Sequence, residues 1–253
     1  METGAITQYV DVAQIVLYMF WAFFAGLIFY LVREGHREGY PLDNGRAEGG
    51  PKQTGWPIPE PKVYKLADGR EVLAPDVNRL DSTYSAQPTH SWLGAPLEPV
   101  GDPLLAGVGP GAWAARADEP DLYHGNHIKI VPLRIAADHG VMSQDVDPRG
   151  LPVYGADKQL AGTVKDLWID RAEMMFRYLE VSLTGGQTVL LPMTFSRIKS
   201  KGVFVGAILA GQFANVPQTK SMEQITLLEE EKITAYYGAG TLYATPERQE
   251  PMF

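Results

Sequence analysis

The chain has 253 residues, 45% hydrophobic and 21% charged, which is enough apolar material for one or two domains with a real core and too much for a disordered tail. It contains no cysteine, excluding disulfides, thiolate nucleophiles and Cys-ligated zinc or iron–sulfur sites. A net charge of −8 with no Lys/Arg cluster excludes nucleic acid as a main partner, because phosphate binding needs a basic surface.

The first element is a run of 21 residues without a charge, Val12 to Val32. As a helix it is about 32 Å long, sufficient for a hydrocarbon core of about 30 Å. The run is too long for a signal-peptide core, and neither a basic leader nor a small-x-small cleavage site accompanies it, so a transmembrane helix is expected rather than a signal or a buried helix. Glu2 and Asp11 precede it, while Arg33 and Arg37 follow, so the positive-inside rule predicts an outer N-terminus and a cytoplasmic remainder. Ala22 and Gly26 form a small-x-x-x-small pair on which another helix could pack, and Gln14 falls near the outer interface.

Between Pro41 and Pro110 lie 11 of the 19 prolines, which forbids long helices and central strands. The segment is either a disordered linker or an extended strap lying on another surface. Trp56, Tyr64, Leu66, Val72, Leu73, Trp92 and Leu93 favour the strap, since a solvated linker carries few large apolar groups. Within it, "KVYKLADGREVLAP" (residues 62–75) predicts a hairpin turning at Asp68-Gly69, and "GAWAARAD" (residues 111–118) predicts a short helix after Pro110.

From about Ile128 the pattern becomes short apolar runs separated by turn residues: "IKIVPLRI", then strands either side of residues 155–158, a pair either side of Gly185-Gly186, and "KSKGVFVGAI". Closely spaced strands with tight turns predict a small antiparallel barrel or sandwich. A helix follows, opened by the capping-box pair Thr226 and Glu229 and stopped by Gly238 and Gly240. The expected organisation is a tail over 1–11, a span over 12–32, a Pro-rich covering segment over 33–118, and a mainly β cytoplasmic domain with a C-terminal helix over 119–253.

"LWIDRAEMMFRYLE" (residues 167–180) admits two readings. A helix would pair Glu173 with Arg177 four residues on; a strand–turn–strand would put Asp170 and Glu173 in the turn. Residues 162–169 and 176–183 both have strand character, with Leu179, Val181 and Leu183 on one face and Tyr178, Glu180 and Ser182 on the other, so the hairpin is expected. The two carboxylates are then either an ordinary hydrated turn or a proton-relaying pair at a protein–protein seam, where burial would favour protonation and Arg171 and Arg177 would oppose it.

No G-x-S-x-G elbow, Walker loop, H-E-x-x-H or strand-to-helix G-x-G-x-x-G is present, so no enzyme signature emerges. Of five histidines, His124 and His127 stand three apart in "DLYHGNHIK". They could be a surface metal site with Asp121 or Asp118, a proton-collecting pair, or solvated loop groups. His36, His90 and His139 read as surface residues. A membrane-anchored hydrolase using paired carboxylates finds no pocket motif.

The order of "YLVREGHREGYPLDN", "GDPLLAGVGPGAWAARAD", "KIVPLR", "DPRGLPV", "AGTVKDLWIDRAEMMFRYLEV", "VLLPM" and "ITLLEEEKITAYYGAGTLYATPER" resembles, over essentially the whole chain, the H subunit of the purple-bacterial photosynthetic reaction centre. That resemblance implies a PRC-type barrel with an extended strap and a C-terminal helix. It also implies a subunit of the inner (intracytoplasmic) membrane, without pigments or catalysis of its own, that caps the L and M subunits, shields the secondary quinone and routes protons to it. Bacteriochlorophyll, bacteriopheophytin, quinones and non-haem iron would belong to partner subunits, with a cytochrome subunit, a light-harvesting complex and membrane lipids as further neighbours. Glu173, Asp170 and Arg177 match the family's proton-path residues, and His127 matches one histidine of its surface cluster. Tyr123 stands where that cluster has an acid and Gly125 where it has its other histidine, leaving His124, Asp121 or Glu223 as substitutes. Arg33, Arg37, Glu38 and Tyr40 fall at the implied subunit interface, with Arg37 and Tyr40 near the quinone region. The alternative is a membrane-tethered adaptor whose barrel binds a soluble partner.

Overall fold

The structure, a computed structural model, describes residues 11–38, 59–74, 76, 84–92 and 95–249. It divides into two compact units, Met1–Arg79 with Trp92–Gly94, and Leu80–Ser91 with Ala95–Phe253.

In the first unit α1 spans Val12–Gly35. Asp11 starts it, accepting a hydrogen bond from the Gln14 amide at 2.6 Å, and satisfies a donor that the first turn leaves open. The apolar side chains of α1 are exposed all round, from Val12 to Val32, a surface that needs lipid or another helix against it. A 3₁₀ turn, His36–Glu38, follows, and Glu34 pairs with Arg37 at 3.1 Å and with Lys62. The expected hairpin forms as β1 (Lys62–Lys65) and β2 (Glu71–Ala74), antiparallel, with Gly69 at φ +86° in the turn. Val63, Tyr64, Leu66, Val72 and Leu73 are exposed on it. Tyr40, Trp56 and Leu93 lie outside the described residues.

In the second unit β3 (Ala86–Pro88) pairs with β4 (Leu97–Pro99), and β5 (Leu122–Tyr123) with β6 (His127–Ile128). The main sheet has seven strands: β7 (Ile130–Pro132), β8 (Pro152–Tyr154), β9 (Leu160–Asp170), β10 (Met175–Leu183), β11 (Thr188–Pro192), β12 (Ser196–Lys199) and β13 (Gly202–Val205). Their order is β11-β10-β9-β8-β13-β12, with β7 also on β9. The long β9 thus carries β10 along one edge, and β8 and then β7 along the other. All pairings are antiparallel except β8 with β13, a parallel pair that the hairpin reading did not anticipate.

Two corrections concern faces and ends. The face of β10 opposite Leu179 and Val181 is buried as well: Tyr178, Leu179, Glu180 and Val181 are all buried, and register shifts against β9 at Phe176/Tyr178 and Glu180/Val181 break the simple alternation. Helix α2 (Leu227–Tyr243) begins at the expected capping box, with the Thr226 hydroxyl accepting from the Glu229 amide at 3.2 Å and the Glu229 carboxylate accepting from the Thr226 amide at 2.9 Å. It does not stop at Gly238 or Gly240. Those glycines lie in its interior because a Cβ on Gly238 would meet the Pro110 carbonyl oxygen at 2.4 Å, and one on Gly240 would meet the Ile208 Cγ2 at 2.4 Å.

The segment packed there, with Leu104, Ala106, Val108 and Gly111 buried, also explains why residues 111–118 are not helical. After a 3₁₀ turn at Gly109–Gly111 the backbone is extended at Ala112, and the Ala117 and Glu119 carbonyls accept from the Leu228 and Leu227 amides at the start of α2. These carbonyls therefore serve α2 rather than a helix of their own. Gly238→Ala is expected to destabilise the chain by about 1–3 kcal/mol through overpacking against Pro110, read as a lower denaturation midpoint in detergent.

Candidate functional site

Asp170 is the last residue of β9, paired with Ile130 on one side and Met175 on the other, and the chain reverses over 171–174. Met174 adopts φ +55°, the left-handed conformation that lets four residues close this connection. The Asp170 side chain is completely buried. One carboxylate oxygen accepts from the Ala172 and Glu173 amides, both at 3.0 Å, and the other accepts from Arg177 Nε at 3.2 Å. The carboxylate thereby shapes the turn that presents Glu173.

Glu173 stays 48% exposed, bound to Arg177 Nη2 at 2.7 Å. The helix and turn readings therefore share this contact, but the backbone is a turn. A second cation, Lys129, just beyond β6, lies 3.2 Å from Asp121, 3.7 Å from Asp170 and 3.8 Å from Glu173. Burial, the largest single influence, lowers the proton affinity of Lys129. The hydrogen bond Lys129 donates to Asp121 and the charges of Asp170, Asp121 and Glu173 together exceed it and raise its pKa. Three carboxylates and two cations thus form one knot at the edge of the sheet. Arg171 is not part of it: its guanidinium donates to the Ile128 carbonyl and lies over the Tyr123 ring at 5.3 Å.

His124 and His127 flank the tight turn between β5 and β6, where Gly125 and Asn126 have φ +80° and +60°. The His127 ring packs beside Tyr123, at 5.8 Å between centroids. The same short hairpin carries Asp121 ahead of it and Lys129 after it, so the histidine loop and the carboxylate knot are neighbours through Lys129. Among the described residues, no group of three or more His, Asp or Glu side chains is gathered to hold a metal. Arg33, Arg37 and Glu38 belong to the other unit, at the end of α1, and Tyr40 is outside the described residues.

Two further carboxylates, the buried Glu180 and the half-buried Glu230, escaped the sequence reading. Glu180, fully buried, accepts from Arg134 Nη1 at 2.7 Å and the Trp168 indole at 2.9 Å and forms an ion pair with Lys165 at 2.8 Å, while the same Arg134 nitrogen also meets Asp166 at 3.0 Å. Burial is the largest influence and pushes its pKa up; the hydrogen bonds from Lys165, Arg134 and Trp168 together hold it below the ordinary carboxylate value. Glu230 of α2 accepts from the Tyr178 hydroxyl at 3.0 Å, and there burial prevails and raises the pKa. Only the spacing of Glu180 opposite Asp166 across β9 and β10 could have hinted at the first, and nothing local hinted at the second.

Residues 4–135 match the family model of the photosynthetic reaction centre H-chain N-terminal region, more than half of the chain, and residues 141–208 match that of the PRC-barrel domain. The second match covers β8, β9, β10, β11, β12 and β13, the greater part of the sheet just described. With its N-terminal apolar helix, mainly β domain and C-terminal helix, the chain belongs to the H-chain family of the photosynthetic reaction centre, an inner-membrane subunit.

Proposed function

We propose that this chain caps the cytoplasmic face of the L and M subunits, shields the secondary quinone and conducts protons to it during light-driven quinone reduction. Full reduction of a quinone to a quinol consumes two electrons and two protons, so a quinone held in an apolar pocket needs titratable groups and water leading to it. The observation that carries the reading is the loop at the end of β9. It holds the buried Asp170 and the half-exposed Glu173 on one guanidinium, Arg177, beside a hairpin bearing His127 and His124. Glu173 leaves about half of its side chain exposed to whatever covers the loop; Asp170 and Lys129 join it to the histidine side, where protons are collected from bulk water.

In this reading residues 1–11 are a periplasmic tail, 12–32 the span, 33–118 a covering segment and 119–253 the cytoplasmic domain, oriented by Arg33 and Arg37 after the span. Arg33, Arg37, Glu38 and Tyr40 then meet the L and M subunits at the membrane surface. The exposed apolar residues of β1 and β2 supply covering surface of the kind a partner buries. Pigments, quinones and non-haem iron reside in the partner subunits, and lipid, a cytochrome subunit and a light-harvesting complex are the remaining neighbours.

Assembly is tested by purifying the tagged full chain in mild detergent and recording its absorption spectrum. Bacteriochlorophyll and bacteriopheophytin bands co-purifying in fixed proportion are the expected result. A preparation free of pigment, bound instead to a soluble protein, would favour the membrane-tethered adaptor.

A further inference from the structure

Glu230 occupies the first helical turn of α2, yet its carboxylate is directed into a cavity of about 260 Å³ between α2 and β10. That volume accommodates several water molecules at about 30 Å³ each. Facing Glu230 are Tyr178 and Arg177 of β10, Arg116 of the segment before β5, Thr194 after β11, and Glu231 and Thr234 of α2 itself. Arg116 is held by Glu231 at 3.6 Å. Arg177 is the wall shared with the loop already described: its Nε reaches Asp170 and its Nη2 reaches Glu173. Asp170 and Glu173 are therefore bound to the Arg177 guanidinium, and Glu230 shares with that guanidinium the lining of the cavity and feels its charge.

We propose that Glu230 is a further proton-exchanging group of this chain, taking protons from water in the α2–β10 cavity and passing them around Arg177 to the Asp170–Glu173 loop. This rests on the proton-conducting reading above. In the uptake step hydronium gives a proton to the Glu230 carboxylate and leaves water; in the release step the Glu230 carboxyl returns to carboxylate as water or a neighbouring carboxylate takes the proton. Arg177 stays charged throughout and couples the sites electrostatically, since each proton gained by one carboxylate weakens the hold of Arg177 on it and strengthens its hold on the others. Burial favours the protonated form of Glu230. The Tyr178 hydroxyl and the charges of Arg177, Lys129 and Arg116 favour its release, but burial outweighs them, so Glu230 holds its proton to higher pH than an ordinary glutamate.

Glu230→Gln separates this role from a structural one, because glutamine still offers an oxygen to the Tyr178 hydroxyl and cannot titrate. In the intact pigment-containing complex, flash-induced proton uptake is followed against pH with an indicator dye, and electron transfer on the second flash is timed. The variant is expected to lose part of the uptake above the ordinary carboxylate range and to slow the second electron by roughly tenfold, less than the ~100-fold of a sole proton donor. Tyr178→Phe keeps Glu230 and removes its hydrogen bond, so the same uptake component is expected to move to higher pH; this arm stands should the glutamine variant fail to assemble. Uptake and second-electron curves in both variants that superimpose on the unmodified complex, while Glu173→Gln slows it, would overturn the role of Glu230 alone. Unaltered kinetics in Glu173→Gln as well would overturn the conducting loop and this inference with it.

Discussion

Glu173→Gln in the assembled complex is expected to slow proton-coupled transfer of the second electron to the secondary quinone by about 100-fold while leaving primary charge separation unchanged. Glutamine is close to isosteric and its oxygen can still accept from Arg177 Nη2, which the carboxylate meets at 2.7 Å. The turn is held by Asp170, not by Glu173, so its geometry survives. What disappears is the capacity to take and give a proton at the exposed tip. Asp170→Asn is the less clean probe. Its amide would set donors against Arg177 Nε at 3.2 Å and Lys129 Nζ at 3.7 Å inside a fully buried site, so loop distortion and lost conduction would arrive together.

Arg134→Met is expected to have the largest effect on stability. Glu180 is a fully buried carboxylate whose closest partner is Arg134 at 2.7 Å, and the same guanidinium neutralises Asp166 and donates to the Met222 carbonyl. Removing it leaves a buried charge held by Lys165 and Trp168 alone. The expected loss is about 3 kcal/mol, the lower end for a broken buried pair, because Arg134 is itself 36% exposed and solvent screens part of its contribution. Urea denaturation of the full chain in detergent, followed by circular dichroism, measures it. The double variant Arg134→Met, Glu180→Leu is expected to recover most of the loss, because it removes the stranded charge as well as its partner. The same network sets an acid limit. The folded pKa of Glu180 lies below its unfolded value near ~4.3, so its stabilisation is complete above that value and is lost as pH falls through the folded one. Glu180→Gln should therefore flatten the fall in stability on the acid side of ~4.3 while lowering stability at neutral pH.

Much of this molecule is legible as sequence because its local signals act alone. The apolar run of α1, the Asp68-Gly69 turn between β1 and β2, the turns on either side of β9 and β10, and the Thr226–Glu229 capping box depend on residues within a few positions of one another. The misread positions depend on distant partners. Gly238 and Gly240 carry the local mark of a helix stop, yet Pro110 and Ile208, each remote in sequence, press on α2 and make glycine a packing requirement. Residues 111–118 have helical composition, but the Ala117 carbonyl, and that of Glu119 just beyond, are committed to the amides of Leu228 and Leu227.

The same distinction holds for the carboxylates. Asp170 and Glu173 were visible because turn and charge coincide in one stretch. Lys129 lies 41 residues before Asp170 in a chain whose fold brings β7 alongside β9, and Glu230 reaches Tyr178 only through the docking of α2 on β10. Glu180 shares the alternating face of Tyr178 and Ser182, and only the distant cations of Arg134 and Lys165 account for a carboxylate buried there. The resemblance contributed the neighbour that a single chain does not hold, and with it a reason for the exposed half of Glu173.

Proton conduction through the Asp170–Glu173 loop is tested most directly by timing the second electron in Glu173→Gln complexes with and without a small diffusible weak acid. Conduction predicts slow transfer in the variant and recovery toward the unmodified rate when the acid carries protons past the missing carboxyl. A variant as fast as the unmodified complex, or a slow one that the acid leaves unchanged, would contradict it.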